Sequence, residues 1–152
     1  MRTTSFAVRD VIVEETIRVS RARVWKALTR ETGAWWPRGF WSLRGSRRMV
    51  LEPRLGGRMY EDAGRGQGLV WYSVTGLVEA EWILLSGEMS AQYGGPCRNL
   101  LSIRLEEKGG RTKVLLRETL YGRVTAKARS SMVDGWTTLL RALRAHAERR
   151  SR

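Results

Sequence analysis

The sequence predicts an α+β fold: a curved antiparallel sheet of about seven strands wrapped around one long C-terminal helix, with two short helices after strand one. Three observations carry that prediction. From Val124 to Arg149, apolar residues recur at Met132, Val133, Trp136, Leu139, Leu140, Leu143 and Ala147, the stripe of an α-helical period. At about 1.5 Å per residue such a helix runs roughly 35 Å, enough to cross a small domain. The six strand-like stretches that precede it are joined mostly by short turns, and short turns can only join antiparallel neighbours. Helical spacing before them is confined to the segment between the first and second strands.

Val11 to Val19 alternates, with Val11, Val13, Ile17 and Val19 on one face and Glu15 among them, as a half-buried strand does. Ser20 then offers a hydroxyl to cap a helix from Arg21 to about Thr29, which buries Val24, Trp25 and Leu28. Glu31 to Trp36 forms a second short helix that Pro37 stops, because the residue before proline is pushed out of the α region. Pro37 to Arg48 is a loop rich in Arg, Gly and Trp. Strands follow at Met49–Glu52, Arg58–Asp62, Leu69–Val78, Trp82–Ser86, Asn99–Glu107 and Thr112–Tyr121. Gly56-Gly57 and Gly109-Gly110 mark turns, and Gly87 to Cys97 is a longer connection. A four-residue loop after Pro53 would set Glu52 opposite Met59 and on the face of Glu61.

One domain spanning residues 1–152 fits this length, and 42% apolar residues suffice for a core without disulfides or metal. The single cysteine, Cys97, excludes an internal disulfide and reads as a passive thiol. No apolar run is long enough for a signal h-region or a membrane span, so a cytoplasmic protein is expected. The net charge of +13 is uneven: +7 over residues 1–48, 0 over 49–122 and +6 over 123–152. Arginine outnumbers lysine 24 to 4, the bias of a GC-rich genome, and composition alone accounts for much of the excess. Its placement on the helical segments, through Arg21, Arg23, Lys26, Arg30, Arg38, Arg141, Arg144, Arg149 and Arg150, predicts a positive field on that side. That field favours encounter with amphipathic anions and weak, salt-sensitive polyanion contact, without specific nucleic-acid recognition.

Chemistry-bearing residues are few. No P-loop, GxGxxG, CxxC or HExxH spacing appears, and His146 has no second histidine with which to build a metal site or relay. No cofactor and no metal are expected. Glu61 and Glu118 fall on inward faces of their strands, where desolvation would raise a carboxyl pKa and suit a general acid. Cross-strand pairing with Arg58, Arg104 or Arg117 is the structural alternative. Seven tryptophans are many for this length. Trp25 and Trp136 suit the core, whereas Trp36, Trp41 and Trp71 suit either core packing or an aromatic pocket.

Several of these stretches, in their order, resemble one family. Val24-Trp25 after a capped start, Ala34-Trp35-Trp36-Pro37 and Leu51-Glu52-Pro53-Arg54-Leu55-Gly56-Gly57-Arg58-Met59-Tyr60-Glu61 are similar to motifs of SRPBCC domains, the START-like, birch-pollen-allergen-like helix-grip proteins. Trp71, Val74, Leu84-Leu85-Ser86-Gly87 and Gly135-Trp136 with Leu139-Leu140 also match, in the bacterial branch named for activators of the heat-shock protein 90 ATPase. That branch often carries proline in the turn before the Leu-Leu strand, where this chain has Glu79-Ala80-Glu81. The resemblance implies a cavity between sheet and C-terminal helix that holds a small hydrophobic or amphipathic ligand, lipid or aromatic. Its expected lining is Trp36, Trp41, Met59, Trp71, Tyr93, Met132, Trp136 and Leu140, with Glu61 as polar anchor and the one candidate catalytic acid. Other readings that it implies are a cyclase or dehydratase using a cavity carboxylate, and a chaperone-interaction module. The expected assembly is a monomer or dimer.

Overall fold

The computed structural model describes residues 5–149. Its elements run β1 (Ala7–Ile17), α1 (Arg21–Arg30), α2 (Thr32–Trp35), β2 (Arg48–Leu51), β3 (Arg58–Gly64), β4 (Gln67–Val78), β5 (Trp82–Met89), β6 (Cys97–Lys108), β7 (Arg111–Gly122) and α3 (Ala126–Arg149). Single 3-10 turns lie at Arg38–Phe40 and Ala91–Tyr93. The sheet has seven strands in the order β1-β7-β6-β5-β4-β3-β2, every neighbour antiparallel. β1 and β2 are therefore the edges, and α1 and α2 bridge from one to the other. This is the α+β helix-grip arrangement that the sequence predicts, with strand ends shifted by at most four residues, mostly outward, as ladder pairing extends beyond the apolar alternation.

The core lies between the concave face of the sheet and α3. One transverse row across five strands reads Val11, Glu118, Leu101, Leu85 and Val74, and the next Val13, Leu116, Ile103, Ile83 and Leu77. Against these rows α3 buries Trp136, Leu139, Leu140, Leu143, His146 and Ala147. None of the six precedes Trp136; the first turns of the helix are largely exposed. The Ser20 hydroxyl accepts from the Arg23 amide at 3.2 Å and caps α1 as expected. The Thr125 hydroxyl does the same for α3 from the Ala128 amide at 3.0 Å, so α3 starts two residues after the predicted Val124.

Glu15, the acid on the buried face of β1, reaches Arg144 of α3 at 3.0 Å. Arg23 pairs with Glu31 at 2.9 Å, and His146 Nε2 meets the same Glu31 oxygen at 2.8 Å, which clasps the C-terminal turn of α3 to the α1–α2 junction. Two arginines of the predicted positive face, Arg23 and Arg144, are thus neutralised locally, and Arg150 lies outside the described residues.

Two turns depart from simple expectation. Leu51, not Glu52, stands opposite Met59, and the Glu52 amide bonds the Arg58 carbonyl. A one-residue difference in register moves a side chain to the other face, so Glu52 pairs with Arg58 and Arg54 at the surface and does not join Glu61. The turn is this tight because Gly57 brings its Cα against the Glu52 carbonyl; a Cβ there would lie 2.2 Å from that oxygen. In the β4–β5 turn, Ala80 takes a positive φ of 63°, and the Glu81 amide bonds the Val78 carbonyl. Positive φ at the second central residue is the position where glycine is preferred, because a Cβ is crowded there.

These two sites predict opposite effects. Ala80→Gly should stabilise the fold by about 1 kcal/mol. Gly57→Ala should cost about 2–3 kcal/mol through overpacking. Urea denaturation midpoints of the two variants against the parent chain check both signs.

Candidate functional site

Two buried carboxylates organise the concave face, and their surroundings push them in opposite directions. Glu61 on β3 is fully buried. Its Oε1 accepts from the Leu43 amide at 3.0 Å and the Ser46 hydroxyl at 2.7 Å; its Oε2 accepts from the Ser42 amide at 2.9 Å and Trp71 Nε1 at 2.8 Å. Burial pushes this carboxyl up, but the hydrogen bonds from Ser42, Leu43, Ser46 and Trp71 outweigh it and hold the group below its ordinary value. The expectation of a raised, proton-donating Glu61 therefore does not hold. Its oxygens are spent on a loop and an indole, and it positions both.

Glu118 on β7 is also fully buried, in the apolar row described above. It accepts from the Tyr72 hydroxyl, from Trp136 Nε1 at 3.0 Å and from Asn99 Nδ2 at 3.4 Å. Burial dominates over these three donors and raises the carboxyl above its usual range. Burial and the Glu118 charge raise the Tyr72 hydroxyl well above its ordinary value and push the Cys97 thiol up, which leaves that thiol unreactive. Among the described residues, no arginine pairs with either carboxylate: Arg117 bonds Asp10 and Arg58 bonds Glu52.

Between these two groups lies a pocket of about 300 Å³, bounded by α3, the segment 36–42 and strands β4 to β6. Of the residues expected to line it, Trp36, Trp71, Tyr93, Met132 and Trp136 do so. The other four do not. Glu61 sits one layer behind, as the anchor of Ser42 and Trp71. Met59 and Leu140 are packed in the core, at 4% and 1% exposure. Trp41 is turned under the Arg38 guanidinium, 4.8 Å from its ring centroid. Tyr72, Asn99 and Trp136, the three donors to Glu118, all line the pocket, so Glu118 lies directly behind its wall.

The missed lining residues have identifiable causes. β3 and β4 slip register between Met59 and Tyr60: Met59 faces Tyr72 but Tyr60 faces Val70, which leaves Trp71 as the extra residue of a bulge. Strict alternation would send Trp71 and Tyr72 to opposite faces; the bulge lets both reach the pocket. Leu139 lines it in place of its neighbour Leu140, a distinction of one helical position. Phe40 and Ser42 come from an irregular loop with no period to read. Gly135 left a signal: glycine inside a helix costs about 1 kcal/mol relative to alanine. Here it makes room for Phe40, whose Cε1 would be 3.4 Å from a Cβ.

Trp36 and Trp136 meet edge to face at 6.1 Å and 88°, and Trp71 and Tyr93 at 5.6 Å and 61°. The indole N–H groups of Trp36 and Trp41 are enclosed without a protein partner. His146, committed to Glu31, stands against a separate hollow between α2 and β2. Among the described residues, no group of three or more His, Cys, Asp or Glu is placed to hold a metal ion. Among the same residues, no helix is long and apolar enough to cross a membrane.

The pH dependence of stability should separate the two carboxylates. Glu61 has a depressed folded pKa, so its contribution is present above the unfolded value near 4.3 and is lost as pH falls through the folded value. Glu61→Gln should therefore cost about 2–4 kcal/mol at neutral pH, with the deficit shrinking only in strong acid. Glu118 has a raised folded pKa, so the stability of its protonated form is present below about 4.3 and is lost as pH rises through the folded value. Relative to the parent, Glu118→Gln should fare better at pH 8 than at pH 4. Denaturant midpoints over that range, compared variant by variant, read out both slopes.

The profile of the family described as Activator of Hsp90 ATPase homolog 1-like protein matches residues 18–148. Among solved structures, an uncharacterised protein from Rhizobium leguminosarum is 18% identical, covers 95% of this chain and 97% of its own, and superposes with a TM-score of 0.73. The Aha1 dimer from Colwellia psychrerythraea, solved in solution, is 19% identical over 92% of this chain and 96% of its own, at a TM-score of 0.63. Ara h 8.0201 is 14% identical over 93% and 98%, at a TM-score of 0.67. At these identities the likeness establishes the fold. No curated protein matches the sequence. With its family profile matched over residues 18–148, this chain belongs to the Activator of Hsp90 ATPase homolog 1-like family.

Proposed function

We propose that the chain is a small-molecule-binding protein whose ligand occupies the pocket between the sheet and α3. The observation that carries this reading is the pocket itself: about 300 Å³, walled by Trp36, Phe40, Trp71, Tyr93, Met132 and Trp136, with only a few convergent polar groups. That volume is at the lower end of small-ligand sites, and the composition is typical of them. A ligand of about ten to fifteen heavy atoms fits such a volume. Its apolar body would stack on indole faces, and its polar atoms would meet Ser42, Asn99 and Ser131.

A second reading, acid catalysis in the same pocket, is favoured by the raised Glu118 carboxyl and its Tyr72 hydrogen bond. With Glu118 protonated and donating to the Tyr72 oxygen, the Tyr72 O–H would turn to a substrate carbonyl, and Glu118 would reprotonate Tyr72 after transfer. In this reading the acid of the cyclase or dehydratase chemistry is Glu118 rather than Glu61.

The binding reading predicts quenching or a blue shift of tryptophan fluorescence by apolar and aromatic probes, and a one-to-one adduct in native mass spectra of protein purified from its own host. Trp71→Leu should weaken binding by about tenfold without unfolding the chain. A broad panel giving neither spectral change nor adduct would remove the reading. For the catalytic reading, deuterium exchange at the α-carbon of 2-tetralone should be accelerated by the parent protein and return to the buffer rate with Glu118→Gln. Equal exchange in both would exclude Glu118 as the acid.

A further inference from the structure

The charge preference of the α3 pocket can be read from what its walls lack, and this rests on reading it as a ligand site. The sequence holds 28 lysines and arginines, yet among the described residues none lines the pocket. Among the described residues, the one charged side chain on its surface is Glu88, which is largely exposed and stands 3.9 Å from Arg98. Glu118 is one hydrogen bond behind the wall, through Tyr72, Asn99 and Trp136.

The indole N–H groups that an anion would need are already committed or closed off. Trp71 donates to Glu61 at 2.8 Å, Trp136 donates to Glu118 at 3.0 Å, and the Trp36 N–H is enclosed by protein. These rings therefore offer the pocket carbon faces rather than donors. An indole that donates its N–H to a carboxylate becomes more electron-rich, which strengthens the negative face that attracts a cation. The ring planes at 88° and 61° set such faces in different directions around one space.

We propose that this pocket binds an organic cation, a quaternary or protonated amine with an apolar body, held by the faces of Trp36, Trp71 and Trp136 and by Glu118 behind them, with a smaller contribution from the exposed Glu88. The bound cation favours the ionised form of Glu118 against the burial that raises its carboxyl. The overall charge of +13 works the other way at long range and favours anions. That field is screened beyond about 8 Å at physiological ionic strength, whereas a buried group such as Glu118 is screened far less. The surface and the pocket thus select opposite charges, and for a bound ligand the pocket decides.

Titration calorimetry at about 150 mM salt with three probes tests the assignment. The probes are benzyltrimethylammonium, its neutral isostere neopentylbenzene, in which carbon replaces nitrogen, and phenylacetate. The cation should bind about tenfold or more tighter than the isostere, and phenylacetate weakest of the three. Glu118→Gln should reduce cation affinity by about tenfold and leave neopentylbenzene within about twofold. Glu88→Gln, on an exposed strand position, should show the same selectivity with a smaller effect. Equal binding of cation and isostere, or tighter binding of phenylacetate, would overturn the cation assignment while leaving a ligand pocket in place. No binding of any probe, with no fluorescence response, would overturn both.

Discussion

A carboxylate removed from water must be solvated by protein, and at Glu61 that requirement shapes the functional end of the molecule. The donors that meet it come from three places: the backbone of Ser42 and Leu43, the hydroxyl of Ser46 and the indole of Trp71. The loop after α2 has little regular structure of its own, so this one side chain substitutes for a ladder. Because Trp36, Phe40 and Ser42 stand on or next to that loop, the shape of the pocket depends on a group that never touches it. An acid that is indispensable in place and unavailable for proton transfer is a different object from the catalytic residue that its position in the sequence suggests.

Glu118 answers the same requirement incompletely. Its three donors are all side chains, held on two strands and a helix, and burial still prevails. A site of this kind stores an unmet electrostatic need next to an aromatic space. The contrast between the two acids arises from depth as well as from donors: neither is exposed, but Glu118 lies deep between the sheet and α3, whereas Glu61 lies beneath a surface loop that also supplies backbone amides. Backbone amides of a loop can converge on a carboxylate at close range; Tyr72, Asn99 and Trp136 are constrained by the pleat and the helix that carry them.

Much of the architecture was legible because it depends on periodicity. The apolar stripe of α3, the alternation in β6 and β7 and the Ser20 cap each follow from local rules that tertiary contacts reinforce. The inward placement of Glu61 and Glu118 came from the same alternation. Their opposite proton affinities did not, because a donor census requires knowing that the 42–46 loop folds over β3. The pocket was half legible. Trp36, Trp71 and Trp136 announced themselves by residue type, whereas Tyr72 was hidden by a bulge and Leu139 by a single helical position. Glu52 was misplaced for a related reason: a glycine pair shortened the turn, and in a sheet one residue decides the face.

The distribution of buried residues along α3 has a mechanical consequence. The second half is set into the core, and its last turns are clasped by the Arg23–Glu31–His146 cluster and by Arg144 with Glu15. The first turns carry few buried side chains, and Met132, Gly135 and Trp136 border the pocket just beyond them. Anchoring is therefore graded along the helix: deep at its C-terminal end and shallow at the other, where Arg129 Nε donates to the Asp10 carbonyl at 2.9 Å. The pocket lies beside the shallow end and the deep core beside the other, so bordering the aromatic space and holding the sheet fall to different ends of the same rod.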